Sequence, residues 1–442
     1  MHSGVETRPL ATELNEIIER ENEVVFSMLS QFGRRVFFPK GILAQSAEAT
    51  EKANKFNATI GIASEGGKPM ALKSVMSHFN GLTAAETLTY APPLGRADLR
   101  NKWKEQLLAK NPSLAGKPIS TPAVTGGVTH ALSVAGDLFI DSGDMVLVPD
   151  KFWENYELLF SVRLQAQMAT YPFFNDGDGL NIEGLRQALA TRVNANKTIL
   201  VLNFPNNPTG YSITKAEAEA VVNTLKEAAE NGCKLIVISD DAYFGLFYGD
   251  DVLQESLFAK VAGLHKNILA IKVDGPTKEE YVWGFRTGMI TFGAVADQSV
   301  DALYGALEKK LAGTIRSAVS NCSHPAQSIL VKAMNSPEFA AECEEKKAIL
   351  EARAKKVQQI LANPDFANLW DAYPFNAGYF MCVKLKGIDA ETYRKHLLSQ
   401  YGVGVIADGK HDIRIAFSAV DIDKLEELYS LLAQGARDLQ NK

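Results

Sequence analysis

From about residue 95 to residue 295, short β-branched apolar runs alternate with longer segments whose apolar residues recur at helical spacing. This is the pattern of a mostly parallel sheet covered by helices, so the expected fold class is α/β. Strands are predicted at 145–148, 168–172, 198–203, 234–239, 267–273 and 289–292. Helices are predicted at 97–110, 129–140, 182–191 and 215–231, the last opened by Thr214 and Glu217 at capping-box spacing. After about Ala294 the pattern changes to long, charged, amphipathic stretches, and the one over 326–362 has few breakers and reads as a helical bridge. Beyond it, predicted strands at 379–384 and 412–417 and helices at 390–400 and 423–439 form a small α+β unit. The expected layout is therefore an N-terminal arm and the first part of a small domain over 1–65, a large domain over 66–325, and a bridging helix with the rest of the small domain over 326–442. Residues 1–30 read as a helical arm.

Composition narrows the function classes. The 442 residues allow about two or three compact units. The 46 Lys and Arg are interspersed with 52 Asp and Glu for a net charge of −6, which leaves no basic block for a nucleic acid or an anionic membrane. The four cysteines, Cys233, Cys322, Cys343 and Cys382, lack the close spacing of zinc ligands and are too few for a disulfide framework. No metal is expected. Apolar runs are strand-length, far short of the roughly 20 residues that span a bilayer. The amino terminus mixes Glu6 and Arg8 with small polar residues, and no apolar signal core follows. A soluble, cytoplasmic protein is the expectation.

Candidate chemistry clusters at predicted strand ends. The strand at 198–203 runs into the polar turn Asn203-Phe204-Pro205-Asn206-Asn207-Pro208-Thr209-Gly210, where α/β proteins place ligand crevices. The next strand ends in Asp240-Asp241-Ala242-Tyr243, and the one after in Asp274-Gly275-Pro276-Thr277-Lys278, with Arg286 eight residues beyond the lysine. Upstream, Thr125-Gly126-Gly127-Val128-Thr129 opens a helix, whose free N–H groups suit a phosphate. Trp153 lies near the same edge. A lysine amine, a carboxylate, a phosphate cradle and hydrogen-bond donors together meet the needs of pyridoxal 5'-phosphate.

With these residues in view, the chain resembles the class I aminotransferases of the aspartate aminotransferase superfamily, pyridoxal phosphate fold type I, over roughly 57–417. The resemblance implies that Lys278 holds the cofactor covalently and then moves the proton, that Asp240 pairs with the ring nitrogen, and that Tyr243 and Asn207 hold its phenolic oxygen. Gly127, Val128, Thr129 and Arg286 would cradle the phosphate, and Trp153 would stack on the ring. Arg414, in Asp412-Ile413-Arg414-Ile415-Ala416-Phe417, matches the arginine that grips a substrate α-carboxylate. Gly61 matches the glycine bordering the substrate. Arg316 matches the position that binds a side-chain carboxylate from the neighbouring subunit, and Tyr90 the tyrosine that reaches the partner's phosphate. These two imply a homodimer with shared active sites. The implied activity is an aminotransferase exchanging nitrogen between an L-amino acid and a 2-oxo acid such as 2-oxoglutarate. An aspartate-like dicarboxylate is favoured and an aromatic amino acid comes next. The alternative on this scaffold is a carbon-sulfur β-lyase. Departures from the family pattern are Gly275 in place of a hydroxyl, Val128 in place of a smaller residue, His130 and Tyr156. Glu279 and Glu280 follow the lysine and are expected to point away from it.

Overall fold

The computed structural model describes residues 9–38, 41–176 and 179–440. Its central sheet has seven strands: β1 (Ala123–Thr125), β2 (Met145–Pro149), β3 (Gln167–Tyr171), β4 (Thr198–Asn203), β5 (Leu235–Asp240), β6 (Ile268–Asp274) and β7 (Gly288–Gly293). Their order across the sheet is β1-β7-β6-β5-β4-β2-β3. Strands β2 to β6 pair in parallel, and β7 runs antiparallel to both neighbours. Six strands lie within a residue or two of the predicted positions. The edge strand β1, three residues long, has too little alternation to be recognised in the sequence.

The central strands carry apolar residues on both faces because both faces are covered. Val146, Ile199, Val201, Ile236 and Ile238 face one core, while Leu147, Leu200, Leu202 and Val237 face the other. Both sets are buried. Helices Ala97–Lys110, Val128–Phe139, Ile182–Ala190 and Lys215–Glu230 supply the covering layers close to their predicted bounds. The last carries the reciprocal Thr214 and Glu217 capping box.

A second, antiparallel sheet is built from β8 (Trp370–Ala372), β9 (Met381–Leu385), β10 (Ile406–Asp408) and β11 (Asp412–Ile415) in the order β8-β9-β11-β10. Near it, Phe56–Asn57 runs parallel to Val403–Gly404, and Ala416 N–H donates to Ala58 O at 2.8 Å. Residues from both ends of the chain thus meet here.

The stretch over 326–362 differs from the single bridge expected. It is two helices, His324–Met334 and Phe339–Leu361. The break contains Pro337, which has no N–H to continue the ladder, and Ser336, whose hydroxyl bonds the Glu338 carboxylate. The arm is helical at Pro9–Glu21 and Glu23–Met28, and residues 1–8 of that expectation lie outside the described residues. Among the described residues, no helix is long and apolar enough to cross a membrane.

Candidate active site

Parallel pairing in register brings three strand ends together, with Asn203 opposite Asp240 and Asp240 opposite Val273. The turns leaving these ends wall a cavity of about 340 Å³. Asn207, Asp240, Tyr243 and Lys278 line it from the turns, Val128 and Thr129 from the helix on the same edge, and Arg414 from β11 of the second sheet. Trp153, Gly61 and Arg286 complete the set of predicted residues found there.

Asp240 is fully buried and its carboxylate is held from two sides. Tyr156 donates its phenolic proton to Oδ2 at 2.5 Å, and the Ala242 N–H donates to Oδ1 at 3.1 Å. Burial raises the proton affinity of Asp240, against the Tyr156 hydrogen bond and the positive charge of Lys278. Asn203 ties two turns together. Its amide donates to Asp240 O at 2.7 Å and its carbonyl oxygen accepts from Asn207 N–H at 2.8 Å.

Lys278 sits on the single turn Pro276–Glu279, and Tyr379 O–H fixes its carbonyl at 2.8 Å. Its ammonium lies 4.9 Å from the Tyr243 ring centre. Burial depresses its pKa to about 8, opposed by Asp240 and reinforced by Arg286. Roughly one-tenth of the amine is therefore neutral and nucleophilic at pH 7, far more than for an ordinary lysine.

The helix Val128–Phe139 aims its unpaired N-terminal N–H groups at the cavity. Its N-cap, Gly127, has φ of +91°, and a Cβ there would lie 2.4 Å from Arg286 Nη2, so the guanidinium is seated directly against the turn. Arg286 itself is left-handed, with φ of +51°, a conformation that costs a non-glycine residue on the order of 1–3 kcal/mol. His130 Nδ1 accepts the Gly126 N–H at 2.9 Å and braces the turn. The hydroxyl residues Thr129 and Thr277 also line the cavity.

On the opposite wall Arg414 is buried yet only partly bonded. Nη1 donates to Asn207 Oδ1 at 2.9 Å, Nη2 donates to Thr59 O at 3.0 Å, and Nε has no partner. Its guanidinium lies 4.2 Å from the Phe380 ring centre. Burial pulls the arginine's proton affinity down without discharging it. The result is a fixed cation that can take an anionic ligand. A Cβ on Gly61 would meet Phe380 at 3.5 Å and the Tyr243 hydroxyl at 3.9 Å, so this backbone borders the open space.

Two predicted residues lie elsewhere. Tyr90 is 89% exposed, and Arg316 is exposed on the helix Val300–Ala318, where Nη1 donates to Ser320 Oγ at 2.8 Å. Neither lines the cavity of its own chain. Glu279 and Glu280 turn away from it, as expected, into a separate cavity. Sequence reasoning missed Asn203 as a brace, Tyr156 as the partner of Asp240, Thr59 and Thr277 as lining, and the apolar wall of Ile42, Leu43, Trp283 and Phe380. Thr277 had an available signal in its position beside Lys278. Ile42 and Leu43 had none, because only tertiary packing brings them in.

Residues 53–432 match the family described as aminotransferase class I and II. A tyrosine aminotransferase of Caenorhabditis elegans is 26% identical over 54% of this chain and 47% of its own length. An aspartate/prephenate aminotransferase of Thermus thermophilus is 29% identical over 45% of this chain and 47% of its own. The chain thus spans about half the length of these relatives. An aminotransferase from Anaerococcus prevotii superposes with a TM-score of 0.80 at 26% identity, covering 90% of this chain and 96% of that one. A Pyrococcus horikoshii kynurenine aminotransferase, solved in complex with PMP, shares the fold with a TM-score of 0.76 at 18% identity, covering 95% of this chain and 99% of that one. With a family match running through both sheets and the cavity between them, the chain belongs to the aminotransferase class I and II family.

Proposed function

We propose that this chain is a pyridoxal phosphate-dependent aminotransferase that moves an amino group between an L-amino acid and a 2-oxo acid. The observation that carries the reading is the convergence, in one cavity, of a half-buried lysine, a buried carboxylate, a helix N-terminus with an arginine, and a second, incompletely bonded arginine. These groups fit the cofactor. Gly127 lacks the Cβ that would collide with Arg286, so the guanidinium sits against the helix N-terminus and the two can face one anion, and the Asn207 carbonyl is committed to Arg414, which directs the Asn207 amide donors elsewhere.

When bound, the cofactor supplies an aldehyde that exchanges amines and a ring that withdraws electrons. The chain supplies the rest. Lys278 would be the attachment point and then the proton carrier, and an amine held in the same cavity would make that transfer intramolecular. Asp240, whose proton affinity burial has raised, would pair with the ring nitrogen and keep it protonated. Tyr243 and Asn207 would donate to the phenolic oxygen, Trp153 would cover the ring face, and Val128, Thr129 and Arg286 would bind phosphate. Arg414 binds the substrate α-carboxylate through a charge-assisted contact.

Glutamate with 2-oxoglutarate is the proposed shared pair, and an aspartate-like dicarboxylate the favoured second substrate. Its side-chain carboxylate would meet Arg316 of a neighbouring subunit in a homodimer, with Tyr90 crossing in the same way. The exposure of both residues supports this reading. An aromatic amino acid is the second reading, supported by the wall of Ile42, Leu43, Trp283 and Phe380.

The test is spectroscopic. Purified protein is expected to be yellow, with a band that shifts on adding glutamate and reverses on adding 2-oxoglutarate, and Lys278→Ala is expected to lack both. A colourless wild-type protein that takes up no added cofactor would overturn the proposal. Release of pyruvate and ammonia from a cysteine-type substrate, without a second oxo acid, would replace it with the β-lyase.

A further inference from the structure

On the far side of the turn that carries Lys278 lies a second cavity, of about 150 Å³, bounded by the helices Ala97–Lys110 and Phe339–Leu361. Glu280 lines it and is 1% exposed, yet neither carboxylate oxygen has a hydrogen-bond partner. Gln106 lines the same space, and its buried Oε1 is also unpartnered. Three acceptor oxygens therefore face one cavity with nothing donating to them.

The lining holds the carboxyls of Glu279, Glu280 and Glu344 with the ammonium groups of Lys110 and Lys347, and Glu344 is exposed. Burial pushes the Glu280 carboxyl up to about 8, so a bound cation must compete with a proton for it. Lys110 is committed to Glu279 at 2.7 Å. Lys347 makes no ion pair among the described residues, and Lys110 acts on Glu280 only through its field, with no hydrogen bond to either oxygen. A buried carboxylate without a partner is costly unless it binds a cation or keeps a proton. The volume is ample, since a single water needs only about 10–15 Å³ by the same kind of measure.

We propose that this cavity binds a monovalent cation of the potassium or ammonium class, held by Glu280 and the Gln106 carbonyl oxygen. A divalent site is not what the residues build, because among the described residues no group of three His, Cys, Asp or Glu side chains is arranged to hold a metal. One buried carboxylate plus neutral oxygens suits a single positive charge. The site is two residues from Lys278 and opens on the opposite side of the same turn, so its occupant braces that turn without entering the active cavity.

The test uses the protein as purified. Thermal midpoints are compared in potassium, ammonium, sodium and tetramethylammonium chloride at equal ionic strength, and crystals are soaked in thallous acetate. Potassium or ammonium, or both, are expected to raise the midpoint above that in tetramethylammonium by a degree or more, on the order expected for ligand linkage. Thallium is expected to give an anomalous peak between Glu280 and Gln106. Glu280→Gln, which keeps shape and removes charge, is expected to abolish the shift and the peak. A response to ammonium alone would assign a hydrogen-bonding cation, and equal responses a spherical one. Equal midpoints in all four salts with no thallium peak would overturn the proposal and leave Glu280 a protonated carboxyl. A cation-specific shift that survives Glu280→Gln would overturn it too. If Glu280→Gln does not fold, the wild-type peak and its loss in Gln106→Leu decide the matter.

Discussion

At the level of single residues, the site is governed by what burial does to titratable groups. Desolvation depresses the Lys278 pKa to about 8 in the cofactor-free chain, so its neutral fraction falls as pH drops below that value. The rate at which cofactor-free protein takes up pyridoxal phosphate is expected to rise through about pH 8 and to level off above it, followed by absorbance in stopped flow. A pH-independent rate between 6 and 9 would contradict the assignment of Lys278 as the attacking amine. Tyr156 acts on Asp240 through a 2.5 Å hydrogen bond. Replacing it with Phe leaves one carboxylate oxygen buried and unbonded, a loss of about 1.5–3 kcal/mol for a bond to a charged group. Tyr156→Phe is expected to lower the unfolding free energy by about that amount, read from the denaturant midpoint. An unchanged midpoint would mean that Asp240 gains nothing from the bond.

At the level of elements, the strand ends are held in place by a polar cluster directly beneath the cavity. Lys272, on β6, lies 2.5 Å from Asp241 and 3.1 Å from Asp274, and all three are buried. Ser256 O–H also donates to Asp241 at 2.5 Å, and Trp103 Nε1–H donates to Asp274 at 3.2 Å. Lys272→Met would leave two buried carboxylates without their cation. It is expected to destabilise the fold by about 3–5 kcal/mol, read from the denaturant midpoint. A loss below about 1 kcal/mol would mean that the carboxylates are already neutral. The elements themselves were largely legible in the sequence. β4 and β5 are continuous β-branched runs, and Lys215–Glu230 announces itself by its capping box. The break at Pro337 was also visible residue by residue, but the amphipathic pattern on either side of it masked where one helix stops and the next begins.

At the level of the whole molecule, Arg316 and Tyr90 are exposed and lie outside the cavity of their own chain, so the proposed shared site depends on a second subunit that brings them in. Arg316→Leu is expected to depress turnover of aspartate much more than that of phenylalanine or tyrosine. Equal losses would count against a side-chain carboxylate at Arg316. If the proposed dimer forms with shared sites, mixing Lys278→Ala and Arg316→Leu subunits after reversible dissociation is expected to restore about one quarter of wild-type aspartate activity, because half of the dimers would be hybrids and each hybrid would hold one intact site. No recovery would place both residues in the same subunit's site, and Arg316→Leu that is fully active by itself would make Arg316 irrelevant.

The linear chain by itself determined the α/β class, the strand-end turns and the chemical types at Lys278, Asp240, Asn207 and Arg414, because these depend on local periodicity and on motifs of a few residues. Tertiary structure alone decided that Tyr156 meets Asp240 across 84 positions and that Arg414 reaches Asn207 across 207. It also decided that Ile42 and Leu43 line the cavity while Glu280 faces another. Such contacts are set by how sheets and helices pack, and no pattern within one segment records which distant side chain will share its solvent-free space.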